Sequence, residues 1–353
     1  MSSTAVPRPV SADAQGRDLA GTRIAVTGAT GFIGRRLCRR IAERGGEVVA
    51  VVRDCSDPSV LDGHALRVVR ADYGTGSGLA HALVGADMVV HLAGVVRAGS
   101  RAAFDRGNAA VTRVLIRSLS ELPASPRLVL CSSMAAAGLT RTVTAPRVEE
   151  DPAPAVSWYG RSKLEAESAV REHAARIHAV IVRPPIVYGP DDPAFVPTVV
   201  AMVRAGVALK PGLGPRRYSL LYVDDLADAL VLAGLHGKPV MPGVEHSGLY
   251  HLSDGLPYTF QDLLTVAATA LGRRTPRVVA VPGPVVLAAG AFAEIAQRPL
   301  GRLPLLNRDK AREVVCAGLL SPERARRDLG FAPQVAFTEG FRMAWEDRNA
   351  AVS

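Results

Sequence analysis

The chain has 353 residues, 48% of them hydrophobic and 21% charged. That composition excludes a disordered chain, and the length suits one large domain or a domain with a smaller lobe, because single cores stop growing at roughly 250 to 300 residues. The net charge of +9 comes from arginine, since the only lysines are Lys163, Lys210, Lys238 and Lys310, and the arginines are scattered among few aromatics, which argues against a dedicated nucleic-acid binder. The four cysteines, Cys38, Cys55, Cys131 and Cys316, lie far apart without metal-ligand spacing, so reduced thiols, a cytoplasmic location and no metal are expected.

Residues 1 to 20 lack the apolar core of a signal peptide and are rich in Ser, Ala and Pro, which predicts a disordered tail. From residue 21 to 185, short apolar runs alternate with amphipathic stretches. Strands are predicted at Arg23–Thr27, Glu47–Val52, Leu66–Arg70, Asp87–Leu92, Arg127–Cys131 and His178–Val182, with helices at about 32–44, 78–84, 101–121 and 157–176. This rhythm predicts an α/β fold with a doubly wound parallel sheet and ligands beyond the carboxyl ends of its strands. After Pro184-Pro185 proline and glycine become frequent, and residues 186–217 and 255–345 read as a smaller C-terminal substrate-binding lobe. The chain is expected to return to the main sheet at about 218–234 and 248–254. Val278–Ala296 is the most apolar stretch, but Pro282-Gly283-Pro284 interrupts it and leaves roughly a dozen helical residues, short of the ~20 that a membrane span needs. A buried or surface-lying helix is expected there, and no transmembrane segment.

The run Gly28-Ala29-Thr30-Gly31-Phe32-Ile33-Gly34 follows the first strand and opens a helix near Phe32. Glycines there permit a sharp turn and a close backbone approach to a pyrophosphate, which the helix amino terminus attracts through its free N–H groups. The second strand ends in Val52-Arg53-Asp54, where a carboxylate would select the ribose hydroxyl of NAD and an arginine the 2′-phosphate of NADP. Arg53, with Arg35 or Arg36 nearby, favours NADP(H), while Asp54 keeps NAD(H) possible.

Tyr159 and Lys163 lie four residues apart on one predicted helix face. A lysine ammonium and an oxidised nicotinamide both favour the phenolate, so the pair is expected to lower the tyrosine pKa and serve as a general acid/base on a ketone or alcohol oxygen. Lys163 is also expected to hold the nicotinamide ribose. Ser133, at the end of the strand Arg127–Cys131, is the candidate for orienting the carbonyl, with Ser132 as the alternative.

With these motifs the sequence resembles the extended short-chain dehydrogenase/reductase superfamily, of the epimerase/dehydratase type, over roughly residues 22 to 345. The resemblance implies a Rossmann-type fold, a Ser133, Tyr159 and Lys163 active site, and a homodimer through the helices following the strands that end near Leu92 and Cys131. It implies cofactor contacts from Gly28, Thr30, Gly31, Phe32, Ile33 and Gly34 and from Asp72 beside the adenine. It adds Leu92, Ala93 and Gly94 as a wall, Asn108 behind the active site, and Pro184 and Ile186 in the loop over the nicotinamide. Tyr218 stands where sugar-nucleotide epimerases carry an arginine, with Arg216-Arg217 displaced. Arg53, the apolar Val278–Ala296 stretch and Ser321–Pro333 resemble the 3β-hydroxysteroid dehydrogenase and dihydroflavonol reductase side. The expected activity is therefore NADPH-favouring interconversion of a ketone and a secondary alcohol on a hydrophobic small molecule. An NAD-dependent sugar-nucleotide epimerase or dehydratase is the alternative.

Overall fold

The computed structural model describes residues 18–61, 63, 66–138, 145–297, 304, 306–316 and 318–350. The expected tail therefore lies almost wholly outside the described residues, but its final part does not fit the expectation: Leu19 is fully buried in the core, and its N–H donates to the Arg44 carbonyl.

The apolar runs form strands β1 (Arg23–Thr27), β2 (Glu47–Val52), β3 (Leu66–Arg70), β4 (Met88–His91), β5 (Arg127–Cys131) and β6 (Ala179–Arg183). Between them lie α1 (Phe32–Glu43), α2 (Leu79–Leu83), α3 (Arg101–Asp105), α4 (Val111–Ser120), α5 (Met134–Ala137) and α6 (Trp158–Glu172). The single helix expected over 101–121 is interrupted: residues Arg106–Ala110 form a π-turn between α3 and α4. The second half of the chain supplies β7 (Ile186–Tyr188), α7 (Phe195–Ala205), β8 (Val207–Pro211), β9 (Arg217–Tyr218), β10 (Leu220–Tyr222), α8 (Val223–His236) and β11 (Leu249–His251). It continues with β12 (Tyr258–Thr259), α9 (Phe260–Ala270), β13 (Arg277–Val281), α10 (Gly283–Gln297), α11 (Arg308–Val314), α12 (Glu323–Leu329) and α13 (Phe337–Ala350).

Seven parallel strands run in the order β11-β6-β5-β4-β1-β2-β3. Successive residues of a strand face opposite sides of the sheet. Ile24 and Val26 accordingly join a core shared with Leu37 and Ile41 of α1 and Leu226 and Leu230 of α8, while Ala25 joins Leu115, Ile116 and Val170 of α4 and α6. Both faces being covered explains why these strands read as continuous apolar runs. Arg36 of α1 makes a forked pair with Asp224 of α8, and Arg40 makes another with Asp228, bolting the two helices together.

One expectation needs correction here. Residues 249–251 return to the main sheet beside β6, but Leu220–Tyr222 pairs with Ile186–Tyr188 in a separate two-stranded sheet, because Tyr188 and Tyr222 belong to the aromatic core around Phe337 and Phe341. Within Val278–Ala296 the first residues form strand β13 on β8, and helix α10 begins at Gly283. That helix lies at the surface, with Phe292 73% and Ile295 64% exposed. No helix among the described residues is long and apolar enough to cross a membrane.

Candidate active site

The parallel sheet brings the carboxyl ends of β1, β4 and β5 side by side, and Thr27 stands between Val51 and His91 in the register. Past Thr27 the chain turns at Gly28 with φ of +70°, where an added Cβ would lie 2.8 Å from the Ala93 nitrogen. A Cβ at Gly34 would collide with the Gly28 carbonyl and come within 2.7 Å of the Ala29 oxygen. Gly31 is the N-cap of α1 and offers no side-chain cap, so the first-turn N–H groups, around Phe32, Ile33 and Gly34, keep their capacity to donate. A turn without side-chain bulk, feeding an uncapped helix amino terminus, fits a dinucleotide pyrophosphate. Tyr73 braces this turn: its hydroxyl donates to the Val51 carbonyl at 2.9 Å and accepts from the Gly28 N–H at 3.4 Å, and burial pushes its pKa up to about 12.

Arg53 is exposed at the end of β2, and a second arginine, Arg70, donates to the Arg53 and Asp54 carbonyls at 3.2 and 2.9 Å. Of the other two arginines expected nearby, Arg36 is taken by Asp224 through two bonds of 2.7 Å, and Arg35 leans 3.6 Å from Asp191. The Asp72 carboxylate accepts from the Gly74 N–H and the Thr75 hydroxyl, which holds its pKa below the usual range.

At the end of β4, His91 sits fully enclosed between the hydroxyls of Thr27 at 2.7 Å and Thr112 at 3.2 Å, its pKa depressed to about 3 by burial and by Lys163. Beyond Leu92 and Ala93, Gly94 packs so closely that a Cβ there would lie 3.5 Å from Lys163 Nζ and run into Asn108 Oδ1. Asn108 lies in the π-turn, a rare geometry found mostly at functional sites. Its amide accepts from the Val95 N–H at 2.9 Å and donates to the Val95 carbonyl at 3.0 Å and the Ser162 hydroxyl at 2.9 Å.

Ser133 caps α5, accepting from the Ala135 N–H at 3.2 Å, and its side chain hydrogen-bonds Tyr159. Lys163, one turn further along α6, donates to the Cys131 carbonyl at 3.0 Å. Ser132 is turned away, its hydroxyl donating to Glu167, which forms a buried forked pair with Arg183 at 2.8 and 2.6 Å. Ser133, not Ser132, therefore faces the tyrosine. The Pro184 carbonyl accepts from the Met134 N–H at 2.8 Å, so the chain leading to Ile186 lies directly against this corner. Burial raises the Tyr159 pKa above its ordinary value, and Glu313 and Cys131 add to that while the Ser133 bond opposes it. Burial also lowers the pKa of Lys163. The expected depression of the phenol pKa by its neighbouring ammonium is thus not what the chain's own groups produce.

Comparison with known proteins gives the lineage. The model of the NAD dependent epimerase/dehydratase family matches residues 24–243. The chain belongs to that family. This epimerase/dehydratase family member is 32% identical to a ceramide reductase of Caulobacter vibrioides, over 90% of this chain and 92% of that protein. It is 31% identical to a 2-alkyl-3-oxoalkanoate reductase of Stenotrophomonas maltophilia, over 91% and 97%. A UDP-glucuronic acid 4-epimerase from Bacillus cereus has the same fold, with a TM-score of 0.72 and 19% identity over 94% of this chain and 100% of that one. The family member is an NAD(P)-dependent enzyme of the short-chain dehydrogenase/reductase type.

Several residues of this corner escaped sequence reasoning. Tyr73 and Ser162 were visible only as neighbours of motif residues, and Arg70 as an ordinary strand end. Asp309 and Glu313 of α11 carried no signal at all. Asp309 accepts from the backbone N–H groups of Trp158 at 2.6 Å and Tyr159 at 3.2 Å, and Glu313 accepts from the Ser157 hydroxyl at 2.7 Å, across about 150 residues of sequence.

Proposed function

We propose that the protein interconverts a ketone and a secondary alcohol on a hydrophobic small molecule, with NADP(H) preferred over NAD(H). The observation that carries this reading is the contact of Ser133 with Tyr159, one helical turn from Lys163, beside a glycine turn that fits a dinucleotide. The cofactor, when bound, supplies or accepts the hydride. Tyr159 gives its hydroxyl proton to the carbonyl oxygen, and burial suits it to that task by keeping it protonated. Ser133 orients the carbonyl by hydrogen bonding. Lys163 holds the nicotinamide ribose and, with Asn108 behind it, the adjoining backbone.

The names of two relatives, a ceramide reductase and a 2-alkyl-3-oxoalkanoate reductase, support ketones with long alkyl chains as substrates. Arg53, seconded by Arg70, supports a 2′-phosphate through charge-assisted bonds. The pyrophosphate would lie over residues 28 to 34, with Asp72 toward the adenine, Leu92, Ala93 and Gly94 along one wall, and Pro184 and Ile186 over the nicotinamide. The reading includes a homodimer through α3, α4 and α6, and a cytoplasmic location in keeping with the buried thiols of Cys38 and Cys131.

A second reading, an NAD-dependent sugar-nucleotide epimerase or dehydratase, is favoured by one observation: Arg216 is only 9% exposed, and its Nε and Nη1 find no acceptor among the described residues. Fluorescence titration of the nucleotide-stripped protein with NADPH and NADH decides between them. NADPH binding tighter by tenfold, about 1.4 kcal/mol, and lost in Arg53→Ser, supports the first. Retained stoichiometric NAD, with a sugar nucleotide consumed and no net nicotinamide turnover, overturns it.

A further inference from the structure

Helix α6 begins at Trp158 with Ser157 as its N-cap, and the first N–H groups of any helix need acceptors from outside it. Ser157 Oγ accepts from the Gly160 N–H at 2.9 Å. The acceptors for Trp158 and Tyr159 come from α11, where Asp309 takes both at 2.6 and 3.2 Å. Glu313, one turn on, accepts the Ser157 hydroxyl at 2.7 Å with Oε1 and holds Lys310 Nζ at 2.8 Å with Oε2. Between them the Arg312 guanidinium lies 5.6 Å from the centre of the Trp158 ring. Three consecutive residues of the catalytic helix, Ser157, Trp158 and Tyr159, are therefore held by one short helix of the second half of the chain. Asp309 is 3% exposed, so this is a buried contact rather than a surface one.

We propose that Asp309 and Glu313 are positioning residues for Tyr159, completing the cap of its helix and fixing where its hydroxyl meets the substrate carbonyl. The inference rests on the reading of Tyr159 as the proton donor. Its physical content is twofold. A reacting group displaced by about 1 Å costs on the order of a hundredfold in rate, and Tyr159 lies in the first turn, where a helix frays unless it is capped. The carboxylate of Glu313 also opposes a negative charge on the phenol, which favours the protonated donor needed for ketone reduction. Among the titratable or charged groups on the elements packed around Tyr159 are Cys131 on β5, Arg101 and Asp105 on α3, whose Phe104 ring lies 5.9 Å from the phenol, Arg161, Lys163, Glu165 and Glu167 on α6, and Arg308, Asp309, Lys310, Arg312 and Glu313 on α11. Of these, Glu313 and Cys131 act to keep the phenol protonated.

The test is the pH dependence of alcohol oxidation, with a 2-alkyl-3-hydroxyalkanoate and NADP+ as probes, for the wild type, Asp309→Ala, Asp309→Asn and Glu313→Gln. Asp309→Ala is expected to lower kcat by about tenfold or more while the KM for the nucleotide stays within about twofold, and Asp309→Asn, which restores one acceptor, to recover part of the loss. Glu313→Gln keeps the volume and an acceptor for Ser157 but removes the charge, so the ascending limb of its kcat/KM profile is expected to move to lower pH. Should Asp309→Ala not fold, the Glu313→Gln profile carries the test alone. Well-folded variants with wild-type kcat and an unshifted profile, alongside an inactive Tyr159→Phe, overturn this inference and leave the reading of Tyr159 standing. A fully active Tyr159→Phe overturns both.

Discussion

Acidification from pH 6.5 to 5 should cost this protein stability through two histidines. His91 and His251 are 1% and 0% exposed, and burial depresses the pKa of each from 6.5 to about 3, helped by Lys163 at His91 and by Arg183 at His251. The unfolded chain therefore takes up protons near 6.5 and the folded chain only near 3, so between those values the unfolded state binds more protons. Stability is then fully present above the unfolded value and falls as the pH drops through the window, by up to about 1.4 kcal/mol per pH unit for each group. Two groups over 1.5 units give a ceiling of about 4 kcal/mol, a large share of the 5 to 15 kcal/mol typical of folded domains. The buried carboxyls of Glu149, Asp192 and Asp225 have raised pKa values and act in the opposite sense wherever those values reach into the window, which is why the figure is a ceiling. Urea unfolding followed by circular dichroism at pH 6.5 and 5.0, at matched ionic strength, measures the difference, and His91→Asn should reduce the slope by about half. An unfolding midpoint that stays constant or rises on acidification would refute the reasoning.

Other perturbations have equally definite outcomes. Tyr159→Phe removes the proton donor and should lower kcat by about 10²- to 10⁴-fold in a ketone-reduction assay while nucleotide affinity, read by fluorescence, is unchanged. Gly34→Ala places a Cβ against the Gly28 and Ala29 carbonyls, both backbone, so it should abolish nucleotide binding in the same titration and lower the melting temperature. Arg183→Met leaves Glu167, at 1% exposed, as a buried charge without its partner, a loss of about 3 to 5 kcal/mol that a denaturant melt detects. Arg36→Ala breaks a forked pair at a largely buried junction, its side chains 13% and 19% exposed, so its effect should exceed the ~1 kcal/mol of a surface pair with nucleotide preference untouched, because that side chain serves Asp224.

The legible half of this molecule is the half in which local pattern and long-range structure agree. Strands β1, β2 and β5 fall on the residues that the apolar runs indicate, since a parallel strand covered on both faces announces itself by composition; β3 does so too, although it is an exposed edge strand. The glycines, Tyr159 and Lys163 stood out because they act within a single turn of chain. Asp309 and Glu313 did not, because their partners lie on α6, far away in sequence, and a carboxylate in a short helix looks the same whether it faces water or a buried N–H. The pairing of β10 with β7 was likewise hidden: Leu220–Tyr222 is apolar enough for either sheet, and the side-chain volumes of Tyr188, Tyr222 and Phe337 decided between them. The upward shift that the chain's own groups give Tyr159 was hidden for a related reason. Sequence spacing shows that an ammonium is near, but desolvation depends on everything packed around the hydroxyl.

The bolts between α1 and α8 also bear on how the chain acquires its shape during synthesis. The helix that opens at the glycine turn is made early, yet Asp224 and Asp228 emerge from the ribosome only after some 180 further residues, and the edge strand β11 later still. Until then one flank of α1 presents Arg36 and Arg40 without their carboxylates, and β6 is an open sheet edge able to pair with other chains. A fragment released at residue 185 would carry every glycine of the nucleotide turn and still lack the parts that hold it closed. Chaperone dependence and aggregation should therefore concentrate in the interval of translation between β6 and β11, which ribosome-bound chains of graded length can map.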